Sequence, residues 1–435
     1  MLESKVKILD ELNQFVSLVM NEQEVLKAYT NDASDFSRRR KLPFDMLVLF
    51  ITKLCKKTLS IELENFFSSL GMEDPCTGSA FTQQRKKLKA SFFQSWNELL
   101  LLSHSYHCAN EIKRWKGYRI IAVDGSNISL INTPKFREYF GGQSNQRGFF
   151  VQAKTLYCYD VLNELIINAQ IAPYRTGELT LAYPLVKAFE KDNLLIYDRN
   201  FFNYKMMALH LWSKPESKFI IRAKERNPVV NAFIKSKKKS AVVEFQPSSS
   251  AIEGLSKEGL SINKSQKIKV RLIRVELEKS VEILATNLWK EPCAAFKELY
   301  SKRWGIETNI SLQKNILQLE CFSGLTIETI YQDFFATVFM VNLHSVLIKQ
   351  AQEMLQNSTR KYPVKVNKNK SMGKLRSVFV QLFRNPQIYI IIEQLNLYFT
   401  RDPVPIRTGR SYPRVVKNKQ SKSKHKTYTN FKLAS

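Results

Sequence analysis

The chain has 435 residues, a length that predicts two to four structural units. Of these residues 44% are hydrophobic and 11% aromatic, a composition that argues against disorder along the whole chain. Its 67 Lys and Arg against 39 Asp and Glu give a net charge of +28. Such a surplus favours a polyanionic partner such as nucleic acid, because neutralised phosphates release condensed counterions. A merely soluble or ribosome-associated basic protein is the alternative.

Cysteine and histidine spacing argues against zinc fingers and against a disulfide framework. The six cysteines form no CxxC pair, and the five histidines show no zinc-ligand spacing. The N-terminus has the pattern of a charged amphipathic helix rather than a signal peptide, and no apolar run reaches 18 residues. We therefore expect reduced thiols, no membrane segment and a cytoplasmic location.

Residues 1–112 show helical periodicity and carry two basic clusters. The residues expected to contact DNA here are Arg38, Arg39, Arg40, Arg85, Lys86 and Lys87. Helices with basic faces suit the DNA backbone, which predicts an N-terminal helical DNA-binding region. Solvated charged helix faces are the alternative.

After Gly117 the hydrophobic period changes to that of short strands. The predicted elements are strand 118–123, strands 149–159 and 165–172, helix 179–189, strand 194–197, helix 204–212 and strand 219–222. This order predicts an α/β fold with a ribonuclease-H-like mixed sheet and flanking helices.

The predicted core, residues 113–355, is interrupted by an insertion at about 223–280 that we expect to be β-rich. Strand 281–286 then resumes the core, followed by helices 292–319 and 327–355. Residues 356–435 form a basic C-terminal region, whose last part, from Pro403, has nine Lys or Arg and no acid. That composition predicts a DNA-binding tail. A passive solubilising tail is the alternative.

Two acids follow buried-type strands of the predicted core. Asp124 comes after strand 118–123 and Asp198 after strand 194–197, at the sheet edge where α/β folds usually place active sites. Phosphodiester cleavage is served by two metal ions held by carboxylates from separate segments. An aspartate at a strand end is also a common cap or turn residue.

A third segment has the spacing Y-x2-R-x3-E-x6-K. Tyr300, Arg303, Glu307 and Lys314 would share one stripe of a helix. Such a stripe is too polar for a core. A surface helix with i,i+4 ion pairs, such as Arg303 with Glu307, is the alternative.

This spacing resembles the YREK signature of DDE transposases of bacterial insertion sequences, in insertion-sequence family four. The similarity extends to VDGS around Asp124, DRNF around Asp198 and the run 285–288, and covers residues 117–320. It implies that Asp124, Asp198 and Glu307 bind two Mg²⁺ ions, with Mn²⁺ as a plausible substitute. It also implies that Tyr300, Arg303 and Lys314 contact phosphates.

The resemblance further implies cut-and-paste transposition. Cleavage at the terminal inverted repeats would be followed by joining to target DNA, with a homodimer in the synaptic complex. A nuclease without joining activity and an inactive DNA-binding remnant are the alternatives.

The chain departs from the family pattern in two places. Asn200 stands where many relatives have glycine, and asparagine tolerates similar backbone angles. The strand before the signature lacks the tryptophan that some relatives stack on a flipped base. Trp289 or Trp304 could replace it, although we expect both to pack in the core or anchor a helix.

Overall fold

The computed structural model describes residues 1–38, 40–53, 57–146, 148–277, 280–357 and 361–406. The chain divides into two units. The helical unit comprises Met1–Ile112, Leu130–Phe136 and Leu312–Ser435, and the sheet unit comprises Lys113–Ser129 and Arg137–Ser311.

The helices carry the labels α1 to α16 and the strands β1 to β11, in chain order. The helices are α1 (Leu2–Asn21), α2 (Gln23–Tyr29), α3 (Phe44–Thr52), α4 (Leu59–Ser68), α5 (Gly78–Lys87), α6 (Ser91–His107), α7 (Pro134–Phe140), α8 (Glu178–Ala188), α9 (Tyr204–Ala208), α10 (Pro228–Lys235), α11 (Ser249–Ser256), α12 (Ala295–Ser301), α13 (Trp304–Ser311), α14 (Ile327–Gln356), α15 (Lys368–Arg384) and α16 (Ile388–Arg401). The strands are β1 (Arg119–Ser129), β2 (Gly142–Asn145), β3 (Gly148–Asp160), β4 (Leu165–Pro173), β5 (Asn193–Tyr197), β6 (Lys218–Arg222), β7 (Ser240–Phe245), β8 (Ile268–Glu276), β9 (Val281–Thr286), β10 (Val364–Lys365) and β11 (Val404–Pro405). Short 3₁₀ turns lie at Ala109–Glu111 and Arg199–Phe201, and π-helical segments at Leu209–Ser213 and Leu312–Ile316.

The helical unit packs α3, α6, α15 and α16 around α14, and α1 lies against α6 and α16. Its core is rich in aromatic side chains: the Trp96 ring stacks on Phe339 at 4.0 Å, and its indole N–H donates to the Leu12 carbonyl at 3.0 Å. By length and composition α14 could cross a membrane, but 83% of its most apolar window is buried. Burial of this extent is typical of a core helix.

The sheet unit is built on a mixed sheet. Within the described residues its strand order is β2-β3-β1-β5-β6-β9-β8-β7, with β4 also paired to β3. Strands β1, β5 and β6 are parallel, whereas β3 runs antiparallel to β1 and to β4.

Successive side chains along each strand point to opposite faces of the sheet, and apolar side chains are buried on both faces. Ile121, Val123 and Tyr197 pack on one face with α8 and α9. Ile120 and Ile196 pack on the other face with α12. Helices α8 and α12 therefore lie on opposite sides of the sheet.

The structure changes three sequence-based boundaries. Strand β1 does not end before Asp124 but continues to Ser129, because its pairing with β3 persists to that residue. The predicted helix 292–319 is divided into α12 and α13 by a turn at Lys302 and Arg303, and a π-helical segment follows α13. Residues 312–355, assigned to the core from sequence, belong to the helical unit.

The insertion at 223–280 is not predominantly β. It contains helices α10 and α11 besides strands β7 and β8, and both strands extend the main sheet beyond β9. The helices cover one face of this extension, where Val230 and Leu255 are fully buried. Most of the predicted basic tail, residues 407–435, lies outside the described residues, as does Arg39.

Candidate active site

Asp124 and Asp198 are neighbours because β1 and β5 are adjacent and parallel. Val123 pairs in register with Tyr197. Asp124 and Asp198, the residues that follow this pair, therefore lie side by side along the strand direction. Neighbouring strands lie about 4.8 Å apart. Asp198 also caps the short turn Arg199–Phe201, where its Oδ1 accepts from the Asn200 backbone N–H at 2.8 Å.

The Asp124 carboxyl lies in an environment that disfavours its charge. Burial and the Asp198 carboxylate raise its pKa from 3.8 to about 6, with Glu178 adding to the rise. The Arg303 guanidinium and the Gly125 backbone N–H, which donates to Asp124 Oδ1 at 2.9 Å, act in the opposite direction. Burial and the neighbouring carboxylates thus outweigh the two groups that favour the ionised form of Asp124.

Arg303 connects the first and third acids of the predicted triad. Its Nη2 lies 2.5 Å from Glu307 Oε1, and its Nη1 lies 3.7 Å from Asp124 Oδ2. Its buried Nε has no hydrogen-bond partner among the described residues. The i,i+4 pair foreseen as an alternative is thus present, but the same guanidinium also faces Asp124.

The remaining signature residues differ in their surroundings. Tyr300 is 8% exposed and packs with α12 residues against the sheet, and burial raises its pKa to about 12. Lys314 lies in the helical unit, where its ammonium is 3.9 Å from Glu320 and burial lowers its pKa. Trp289 and Trp304, expected to be packed, are 46% and 55% exposed.

Arg85 differs from the other basic residues predicted to contact DNA. It is 2% exposed, and its guanidinium donates to Gln332, Asp333, Ser323 and the Thr329 carbonyl at 2.6 to 3.1 Å. The structure therefore assigns it to the interior of the helical unit and corrects the expectation of a DNA contact. Arg38, Arg40 and Lys86 are exposed, and Lys87 is half-buried, 3.8 Å from Asp35.

Sequence reasoning did not identify Glu178, the first residue of α8. Its carboxylate receives hydrogen bonds from Asn200 and Lys154 and lies against Gly125. An acid at the start of a helix is typical of favourable dipole interaction, so the local pattern gave no reason to connect it with the aspartates.

The donor set at this site fits hard divalent cations. Among the described residues, no three His, Cys, Asp or Glu side chains are grouped closely enough to hold a metal ion as they stand. Arg303 faces both Asp124 and Glu307 there. Carboxylate oxygens are nevertheless the ligands that Mg²⁺ prefers, and a bound cation would offset the burial and the Asp198 repulsion that raise the Asp124 pKa. Asp124, Asp198 and Glu307 are the residues that could hold it.

Replacing Asp124 with asparagine should stabilise the metal-free chain. Because the folded state raises this pKa from 3.8 to about 6, stability falls as pH rises through that interval and remains reduced above it. We expect Asp124→Asn to raise the free energy of unfolding by about 1–3 kcal/mol at about pH 8. The gain should vanish below about pH 4, where the carboxyl is protonated in both states. Urea titrations at both pH values test this, and an equal gain at both would contradict it.

Comparison with known proteins finds a matching family model, a curated protein and a solved structure. The family model described as "Transposase DDE domain" matches residues 115–343, just over half of the chain. The chain is 23% identical over 177 residues to "Putative transposase InsZ" of Escherichia coli (strain K12); the match covers 39% of this chain and 58% of that protein. It is also similar to the cryo-EM structure of a piggyBac transposase synaptic complex with hairpin DNA, with 10% identity and a TM-score of 0.44 over 93% of this chain and 88% of the other.

Proposed function

This chain belongs to the transposase DDE domain family, and we propose that it cuts DNA at insertion-sequence ends and joins those ends to target DNA. The observations that carry the proposal are the adjacency of the two strands that lead into Asp124 and Asp198, and the contacts of Arg303 with both Asp124 and Glu307.

The strand order supports a ribonuclease-H-like core. In β4-β3-β1-β5-β6, three antiparallel strands are followed by two strands parallel to β1. The proposed catalytic acids lie on β1, directly after β5, and on α13.

DDE transposase domains generally use divalent metal ions. Two Mg²⁺ ions, or Mn²⁺ in their place, would supply an activated water or hydroxyl and would neutralise charge on the leaving oxygen. Asp124, Asp198 and Glu307 would hold them. Hydrolysis would free a 3′-hydroxyl, and a second displacement at phosphorus would join it to target DNA.

Arg303 is suited to exchange its partners when DNA arrives. In the metal-free chain it offsets the charges of Asp124 and Glu307. A DNA phosphate would compete for the same planar donors, including the unpaired Nε. Tyr300, packed beneath Arg303 with the guanidinium 5.8 Å from its ring, would support that side chain. Lys314 is proposed as a further phosphate contact.

The charge distribution supports DNA as the partner. Arg38, Arg40 and Lys86 are exposed, and the net charge is +28, so backbone contacts would release counterions. Terminal inverted repeats and target DNA are the proposed substrates, a homodimer is the proposed synaptic assembly, and the bacterial cytoplasm is the proposed location.

A tagged DNA end incubated with a supercoiled target and Mg²⁺ distinguishes transposition from simple nuclease action. We expect the tag to become covalently joined to the target. Cleavage of the end without any joined product would identify the chain as a nuclease that does not join DNA. No cleavage at all would identify it as an inactive DNA-binding remnant.

The exposed Trp304 should contribute to binding of DNA ends that have unpaired bases. It lies next to Arg303 and is 55% exposed, and stacking of one base on an aromatic ring contributes about 1–3 kcal/mol. We expect Trp304→Ala to weaken binding of such an end by roughly 5- to 150-fold, measured by fluorescence anisotropy.

Trp289 provides a matched control, because it is exposed to a similar degree but follows β9, which runs antiparallel to β6. It therefore lies towards the sheet edge opposite the acids. Equal losses for Trp289→Ala and Trp304→Ala would contradict a stacking role specific to Trp304.

A further inference from the structure

A side chain at Gly125 would collide with the Glu178 carboxylate and displace it. A Cβ atom built there would lie 2.4 Å from Cδ and 2.6 Å from Oε1 of Glu178. Gly125 is not among the residues with positive φ, so its backbone does not demand glycine. The glycine is therefore explained by space: it admits the Glu178 carboxylate directly against β1.

The Glu178 carboxylate is fixed by two donors. Oε2 accepts from Asn200 Nδ2 at 2.8 Å, and Oε1 accepts from Lys154 Nζ at 3.3 Å. The backbone N–H of the same Asn200 donates to Asp198 Oδ1 at 2.8 Å. A continuous series of contacts thus runs from Asp198 through Asn200 to Glu178, and from Glu178 to the residue after Asp124.

Glu178 acts from the opposite side of the sheet from the Asp124 carboxylate. Successive residues of a strand point to opposite faces, so Gly125 faces α8 whereas Asp124 faces Arg303. Both Glu178 oxygens already accept hydrogen bonds from protein donors. This arrangement suits a group that orients the site better than one that binds a metal itself.

We infer that Glu178 is a positioning residue that holds the segments bearing Asp124 and Asp198 in fixed relation, an inference that rests on the proposed function. This role of Glu178 also explains the asparagine at position 200 on grounds other than its backbone conformation. Asn200 has no positive φ, and its side chain supplies the link that a glycine there would lack. Outer-shell partners of this kind orient the groups that bind a metal.

The test is Mn²⁺ binding to the full chain, followed by electron paramagnetic resonance, with DNA cleavage as a second readout. Glu178→Ala should weaken Mn²⁺ binding about 10- to 100-fold. Glu178→Gln should retain most of the binding, because its single amide oxygen can still accept from Asn200 and only the longer contact with Lys154 is lost. If Glu178→Gln fell as far as Glu178→Ala, the carboxylate charge would matter rather than positioning, and the inference would be overturned.

A double-mutant cycle tests the steric contact. Gly125→Ala alone should weaken Mn²⁺ binding, since the added methyl group displaces the carboxylate. In the Glu178→Ala background the same change should have little further effect, because the colliding group is gone. Additive losses would contradict the inference.

Glu258 offers a matched control within the sheet unit. Its ion pair with Lys205 is 3.0 Å long, and the two side chains are 21% and 13% exposed, against 20% and 14% for Glu178 and Lys154. Glu258→Ala should leave Mn²⁺ binding unchanged. If it weakened Mn²⁺ binding as much as Glu178→Ala does, the Glu178 effect would be explained by general destabilisation. If the wild type and Asp124→Asn bound Mn²⁺ equally well, the proposed function itself would fail. If the wild type bound Mn²⁺ tightly and Glu178→Ala bound it equally well, only the positioning role of Glu178 would be contradicted.

Discussion

Single replacement of Asp124, Asp198 or Glu307 by the matching amide is expected to reduce metal-dependent cutting of DNA ends by about 1000-fold, the equivalent of about 4 kcal/mol of transition-state stabilisation. The loss follows from removing a charged oxygen ligand while keeping side-chain size. Initial cleavage rates on a labelled end fragment in Mg²⁺ measure it.

Glu298→Gln is the control for this series. Glu298 lies on α12, where it forms an exposed i,i+4 pair with Lys302, so its loss should leave the rate near that of the wild type. Asp124→Asn is also expected to be more stable than the wild type, which separates its loss of activity from unfolding. Unchanged cleavage in any of the three amide variants would remove that residue from the proposed site.

Arg85→Met is expected to destabilise the helical unit by about 3–5 kcal/mol, because the buried Asp333 carboxylate would lose its positively charged partner. Asp333 is 5% exposed and lies 2.7 Å from Arg85 Nη2, and Gln332 Oε1 would lose its donor as well. Denaturant titration monitored by circular dichroism measures the change.

Lys86→Met is the matched control on the same helix. Lys86 is exposed, so its replacement should alter stability by less than about 0.5 kcal/mol. It should instead weaken DNA binding and reduce the salt slope by about one if Lys86 contacts a phosphate. If Arg85→Met were as stable as the wild type but bound DNA more weakly, Arg85 would be a DNA contact rather than a buried structural residue.

Local sequence patterns predicted the individual strands but not the neighbours that each one would have. The runs before Asp124 and Asp198 identified two buried strands, yet the pairing of Val123 with Tyr197 depends on the sheet order. Likewise, the spacing of Arg303 and Glu307 predicted their ion pair, whereas the approach of Arg303 to Asp124 is a tertiary contact.

Arg85 and Glu178 show why the remainder of the site was not predictable from local pattern. Arg85 sits in a run of basic residues that resembles a solvated face, but its partner Asp333 lies 248 positions away. Glu178 resembles an ordinary acid at a helix start, and its partners lie 22 and 24 positions away. A polar residue's role depends on partners that only the folded chain brings near.

Anomalous diffraction from crystals grown with Mn²⁺ and a DNA end would locate the bound metal ions. We expect two anomalous peaks about 3.5–4 Å apart among the carboxylates of Asp124, Asp198 and Glu307. Mn²⁺ peaks elsewhere on the chain, with none at these three carboxylates while DNA is bound, would contradict the proposed metal site.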